Sequence, residues 1–274
     1  MNQKKYLFTL FLFLIINLLS SSENFLSQGL SYQIFNPINE EGFDNSEIII
    51  IKINPNFYNI NLLSADQYNH ENLTVKEWSK KYDLIISINA GMFQKDYKSN
   101  VGYMKQFSYI NNPHINNYQS IAAFNPKDST KTKFKIYDIE KFNEKLDNKK
   151  IREIISNYNS VIQNLRLIKR PAENRWSQQQ KKWSEIALGE DIDGNMLIIF
   201  CRSPYSMHDL NNLLLDLPID IMCAQHLEGG PEASLYLKYK DIELVYVGGY
   251  ETSFLNDTNF GLWKIPNIIG ISKK

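Results

Sequence analysis

Short apolar runs closed by turn residues alternate along the chain with stretches of helical spacing. Ser46 to Ile53 and Asn59 to Ser64 are rich in Ile and flank Asn54-Pro55-Asn56, which predicts two strands joined as a β-hairpin. Thr74 and Glu77 have capping-box spacing, so a helix is expected over 75–82. Leu84 to Asn89 reads as a buried strand that ends in Ala90-Gly91. Further strands are expected at 103–110, 120–125, 133–137 and 158–168, with helical stretches between 139 and 156. After a polar loop over 169–182, the runs 185–188 and 196–201 flank Asp193-Gly194, a second hairpin signal. Ser206 and Asp209 open a helix that Pro218 stops, and the strand 219–223 then feeds directly into His226-Leu227-Glu228-Gly229-Gly230. Neither a repeat nor a composition shift divides the chain. The pattern therefore predicts one α+β (mixed α/β) domain over 23–274, a mixed β-sheet flanked by helices with its cleft at strand ends.

The first residues follow a different pattern. Lys4 and Lys5 precede an apolar run from Tyr6 to Leu19 that breaks into Ser20, Ser21 and Ser22. This is the outline of a signal peptide over 1–22, cut after Ser22, and it implies a secreted or periplasmic protein. The run falls short of the roughly 20 residues needed to span a bilayer, so no stable membrane insertion is expected after cleavage. With 274 residues, 43% of them hydrophobic, the chain has enough apolar material for a self-supporting core. Charges balance at 30 basic against 30 acidic residues, which leaves no overall basic field for nucleic acid. Cys201 and Cys223 each close an apolar run; buried free thiols are expected, with a disulfide as the alternative if the strands are neighbours.

Two places carry candidate chemistry, both where an apolar strand enters a glycine turn. Asn89-Ala90-Gly91 presents a side-chain amide, and Glu228-Gly229-Gly230 presents a carboxylate beside backbone N–H groups that a ligand can approach. No histidine pair has zinc-site spacing, and Glu190 to Asn195 fits a hairpin turn better than a calcium loop, so neither a metal nor a cofactor is expected. Trp176 and Trp183 are candidates for stacking on a sugar ring.

Taken in order, these segments resemble the phosphodiester glycosidase family. Residues 87–93, Ser-Ile-Asn-Ala-Gly-Met-Phe, are similar to that family's Asn-Gly-Gly-Phe-Phe motif, and residues 226–234, His-Leu-Glu-Gly-Gly-Pro-Glu-Ala-Ser, to its Asn-Leu-Asp-Gly-Gly-Gly-Ser-Ser motif. The tail from Lys264 to Ile271 is similar to the closing Val-Pro-Asn segment, and the region around Gln163 to a Gln-x-Gly-Pro strand. The resemblance implies an exported hydrolase acting on a sugar-phosphate or glycan substrate at the bond between the anomeric carbon and a phosphodiester, as in a cell-envelope polymer. It casts Glu228 as general base or cation stabiliser, Asn89 as an orienting amide and Glu232 as the nearest second acid, with Glu185 and Asp191 behind. Gly91, Gly229, Gly230, His226, Lys182, Arg166, Gln163, Ser234 and Asn267 make up the implied substrate-binding set. The departures are Glu228 where Asp is usual, Ala90 for the middle glycine, His226 for Asn, and Trp183 to Gly189 where the family has Arg-Thr-Ala-Ile-Gly. The absent Arg leaves Lys182 or Arg175 as substitutes, and it favours the alternative of a catalytically weak relative that binds carbohydrate.

Overall fold

In the computed structural model, residues 22–37, 47–143, 145–251 and 259–274 are described. The expected leader therefore lies, apart from Ser22, outside the described residues. The α+β, single-domain reading holds, with the strands distributed over three main sheets. The long sheet runs in the order Asn24–Ser27, Leu30–Phe35, Ile48–Ile53, Met196–Tyr205, Trp183–Asp191, Ile221–Gly229, Arg166–Lys169 and Glu173–Asn174. A second sheet has the order Tyr109–Asn112, Met104–Gln106, Tyr158–Asn164, Ser120–Pro126 and Phe134–Asp138. The third is ordered Ile242–Val247, Ser234–Tyr239, Ile86–Asn89, Asn267–Lys273 and Tyr58–Ser64. Neighbouring strands pair antiparallel in all three.

The three sheets share one apolar interior. Ile51 and Ile198 of the long sheet, Phe124 and Ile162 of the second and Leu62 and Ile88 of the third are buried in a single cluster. Each sheet turns its other face to one helix. α1 (Val75–Tyr82) lays Val75 and Trp78 on the third sheet, α2 (Asn148–Asn157) lays Ile151 and Ile154 on the second, and α3 (Met207–Asp216) lays Met207, Leu210 and Leu214 on the long one. Covered on both sides, the long sheet's strands read as continuous apolar runs. Ile198 and Phe200 point into the shared interior, while Leu197, Ile199 and Cys201 point towards α3.

Local chemistry sets the element ends. Thr74 accepts from the Glu77 amide at 3.2 Å and the Glu77 carboxylate accepts from the Thr74 amide at 2.8 Å, which completes the expected capping box. Asp191 Oδ1 accepts from the amides of Asp193 and Asn195, and Gly194 supplies φ +80°, so the Asp193-Gly194 hairpin forms as the spacing predicted. Ser206 caps α3 through the Asp209 amide.

Two sequence expectations need correction. The runs on either side of Asn54-Pro55-Asn56 turn as expected but do not pair: Ile48–Ile53 joins the long sheet and Tyr58–Ser64 the third. Their apolar residues face both ways, so each becomes an inner or covered strand of a different layer. The expected strand over 158–168 also divides, at Leu165, into one strand of the second sheet and one of the long sheet. Cys201 and Cys223 are free and buried as expected, on opposite faces of the long sheet, one against α3 and one in the shared interior, which rules out the alternative of a disulfide.

Ile51 is fully buried in the shared interior. Ile51→Ala is expected to cost about 3–5 kcal/mol, from lost burial and the cavity left behind, read as a lower urea midpoint with unchanged m-value.

Candidate active site

On the outer face of the long sheet, Ala187 and Ala224 belong to the cluster under α3. The next side chains on that face are Glu185 and His226. A β-bulge shapes this end: Ile186 faces Glu228 while Ala187 faces His226, so Leu227 is the extra residue, and its side chain drops into the shared interior. His226 and Glu228 are thereby both presented to one cavity of about 580 Å³, with Tyr118, Lys181, Trp183 and Glu251 also on its wall. A bulge beside a site re-aims side chains in this way.

Glu185 is completely buried. Both its carboxylate oxygens lie within hydrogen-bond range of His226 Nδ1, at 2.7 and 2.8 Å, and the Trp183 indole N–H donates to Oε2 at 2.8 Å. Burial pushes the Glu185 carboxyl upward, offset in part by His226 and Trp183. Burial works against charge on His226 as well, but the Glu185 carboxylate outweighs it and holds the imidazole above its ordinary range. With Nδ1 committed to Glu185, the tautomer is fixed. Nε2 has no partner among the described residues, and the ring lines the cavity.

Glu228 stands at the cavity wall with Oε1 accepting from the Gly229 amide at 3.1 Å. Burial is the main reason its carboxyl is pushed up to about 8; the charges of Glu232 and Glu185 add to this, while His226 and the Gly229 N–H oppose it. The group consequently keeps its proton at neutral pH. Burial also raises Glu232, with Glu251 adding to it, and raises the Tyr118 hydroxyl, which feels Glu228.

Glycine is required at two positions here. A Cβ on Gly229 would sit 2.5 Å from Trp183 Cδ1, so only glycine lets the indole lie against the strand, and Gly230 has φ +68°. Ser184 donates to the Arg202 carbonyl and accepts from the amides of Gly249 and Tyr250 at 3.0 Å each, which brings Glu251 to the cavity.

The other candidates hold the site without lining it. Asn89 is tied to the neighbouring turn: Oδ1 accepts from the Ser234 amide at 2.8 Å and Nδ2 donates to the Glu232 carbonyl at 3.0 Å. Ser234 is buried in that same clamp. Gln163 donates to the carbonyls of Asn116 and Tyr118 and accepts from the Asn116 amide, so it positions Tyr118. Asn267 bonds the Lys98 carbonyl, and Gly91 packs against the side chains of Asn100 and Asn164. None of these five residues is on the wall of the Glu228 cavity. Lys181 rather than Lys182 lines the cavity, and Arg166 opens onto an adjoining one. Asp191 pairs with Lys52 at 2.8 Å at the opposite end of its strand, which removes it as a second acid.

Tyr118, Lys181 and Glu251 carried no sequence signal. Glu185 did: it is an acid directly followed by the apolar run Ile186-Ala187-Leu188. Among the described residues, no cluster of three or more His, Cys, Asp or Glu side chains could hold a metal ion.

A buried carboxylate–imidazole pair and a protonated carboxyl on one strand-end cavity are the features of an acid–base site. The chain belongs to the phosphodiester glycosidase family, whose sequence profile matches residues 82–272. Its fold is similar to that of the zebrafish N-acetylglucosamine-1-phosphodiester alpha-N-acetylglucosaminidase catalytic domain auto-inhibited by its pro-peptide. That likeness has a TM-score of 0.64 at 14% identity and covers 93% of this chain and 88% of that one. A hypothetical protein from Synechocystis is similar at TM-score 0.62 and 12% identity, over 93% of this chain and 64% of that one. No curated protein matches by sequence.

The Glu228 carboxyl binds its proton more tightly in the folded chain, about 8 against an ordinary 4.5. Its contribution to stability is therefore full below pH about 4.5 and is lost as pH rises towards 8. Glu228→Gln is expected to remove that slope and to raise Tm at pH 8.5 by several degrees over the wild type, at roughly 2–4 °C per kcal/mol. Thermal scans of both proteins from pH 4.5 to 9 check it.

Proposed function

We propose that the protein is an exported hydrolase that cleaves the bond between a sugar's anomeric carbon and a phosphodiester, with a cell-envelope polymer as the natural substrate. The observation that carries this reading is the common cavity of His226 and Glu228, with Nδ1 of the imidazole held by Glu185. Family membership supports the reaction class, and the apolar leader supports secretion or a periplasmic location.

The roles follow from the protonation states. In its unprotonated form His226 takes, at Nε2, a proton from a water whose oxygen attacks the anomeric carbon, and Glu185 stabilises the imidazolium that forms. The C1–O bond breaks, and its electron pair leaves with the bridging oxygen on the phosphate monoester. Glu228 donates its hydrogen bond to that oxygen as negative charge builds. Because a phosphate monoester is already a stable anion, full proton transfer to it is unnecessary, and the gain comes from interactions that strengthen in the transition state. Glu228 thus serves as donor where the sequence suggested base. The overall change is addition of one water to give a free sugar and a phosphate monoester.

The alternative, a relative that binds glycan without cleaving it, is favoured by one observation: among the described residues lining the cavity, Lys181 is the one lysine or arginine. Purified protein beginning at Glu23, assayed on glycosyl phosphodiesters and on p-nitrophenyl glycosides, separates the two. The hydrolase reading expects a bell-shaped kcat/KM with its alkaline limb near pH 8, set by Glu228. His226→Asn and Glu228→Gln should each lose roughly 10²–10⁴-fold in kcat, and Glu228→Gln should also flatten the alkaline limb. Glycan binding without turnover, or wild-type rates in both variants, overturns it.

A further inference from the structure

Beside the Glu228 cavity lies a second one of about 350 Å³, and the two share Tyr118 and Leu165 as a common wall. The second cavity has a different electrostatic character. Arg166 and Arg175 face it together with Trp176 and Gln179, and no Asp or Glu is among its lining residues. The first cavity, by contrast, has Glu228 and Glu251 on its wall beside His226 and Lys181, with Glu185 behind the imidazole.

Unmet hydrogen-bond donors mark the second cavity as built for a ligand. Arg166 Nη1 and Gln179 Nε2 are buried without a hydrogen-bond partner among the described residues. The nearest acid to Arg166 is Asp138, 3.6 Å from Nη1, which attracts its charge but is too far to accept a hydrogen bond. Buried donors left unmade are costly, and native structures keep few of them. Asp138 Oδ1 is likewise buried and unpartnered and faces Arg166 Nη1, so that arginine is held as an ion pair; Gln179 Nε2 is the donor left without an acceptor, and what completes it is an acceptor-rich group. Arg175, paired with Glu173 at 2.6 Å and half exposed, can turn inwards to a stronger partner. The aromatic side of the cavity is fixed in place: the Trp176 indole donates to the Arg166 carbonyl at 2.9 Å, and its carbonyl lies 2.6 Å from His208 Nδ1.

We infer that this second cavity is a subsite for a phosphate-bearing arm of the substrate, the part esterified to the phosphodiester on the side away from the sugar. The inference rests on the hydrolase reading for the orientation of the substrate. The two cavities then divide the ligand by charge, with the neutral ring against Glu228 and the anionic extension against Arg166, Arg175 and Gln179. Guanidinium forks match phosphate oxygens in pairs, and Trp176 gives the arm a flat apolar wall. The natural substrate is accordingly a polymer or conjugate with more than one phosphate, not an isolated sugar phosphodiester.

The test compares two substrates with the same sugar, a methyl phosphodiester and a phosphodiester whose far arm is glycerol phosphate, on wild type and on the double variant Arg175→Gln, Gln179→Ala. Both changes lie outside the acid–base pair and at partly exposed positions. The variant is expected to lose about 10-fold or more in kcat/KM on the longer substrate, through KM, and to stay within about 2-fold on the methyl diester. Binding of glycerol 3-phosphate, followed by indole fluorescence, is a second readout that needs no turnover. It should saturate in the wild type, weaken by a similar factor in the double variant and weaken further with added salt. Binding without hydrolysis of either substrate overturns the hydrolase reading and leaves an anion subsite. Hydrolysis with equal effects on both substrates, or with no effect on either, overturns the subsite and leaves the hydrolase. Failure of glycerol 3-phosphate to bind the wild type also overturns the subsite.

Discussion

The shared interior is the constraint from which the rest of the structure follows. Three sheets each give one face to it, and each must cover its other face with a helix. The long sheet is consequently apolar on both faces along most of its length, and polar chemistry can stand only where helix cover ends. On the α3 side that limit is crossed between Ala187 and Glu185 and between Ala224 and His226. Two titratable groups at this depth would be costly singly, since a buried charge without a partner is strongly destabilising. They are retained as a pair, and the indole of Trp183 satisfies the carboxylate further.

Much of this was legible in the sequence, and the parts that were not have physical reasons. Capping chemistry is local, so α1, α3 and the Asp193-Gly194 hairpin could be placed from a few residues each. Sheet membership is decided by distant partners. Nothing within 46–64 says that its two runs separate into different layers, and nothing within 158–168 says that the chain changes sheets at Leu165. The strand Asn267–Lys273 takes an inner place in the third sheet, between Ile86–Asn89 and Tyr58–Ser64, and its partners are likewise distant in sequence.

The site shows the same division. Glu228, His226 and the glycines were visible because a carboxylate entering a glycine turn is an unusual local pattern. Asn89 was equally visible, but its pattern does not say whether a side-chain amide faces a ligand or a neighbouring backbone; here it bonds the backbone of Ser234 and Glu232. Glu251 reaches the cavity only because Ser184, far away in sequence, accepts the amides of Gly249 and Tyr250. Such residues become functional through tertiary hydrogen bonds.

A site crowded with carboxylates is at first sight ill suited to a substrate that carries phosphate. Burial changes that balance. It removes the charge from Glu228 at neutral pH, so the group nearest the cavity is a hydrogen-bond donor and not a source of repulsion. The buried Glu185 is matched by His226, whose raised affinity for a proton makes it the stronger base. On the proposed reading the remaining need for positive charge is met one cavity away, by Arg166 and Arg175, whose acidic neighbours Asp138 and Glu173 lie outside that cavity's lining. On the proposed reading, then, an arginine inside the Glu228 cavity would be unfavourable: it would lower the Glu228 carboxyl towards its ordinary range and strip it of the proton it is to share with the leaving oxygen. Separating the cationic subsite from the acid–base pair lets one substrate meet both.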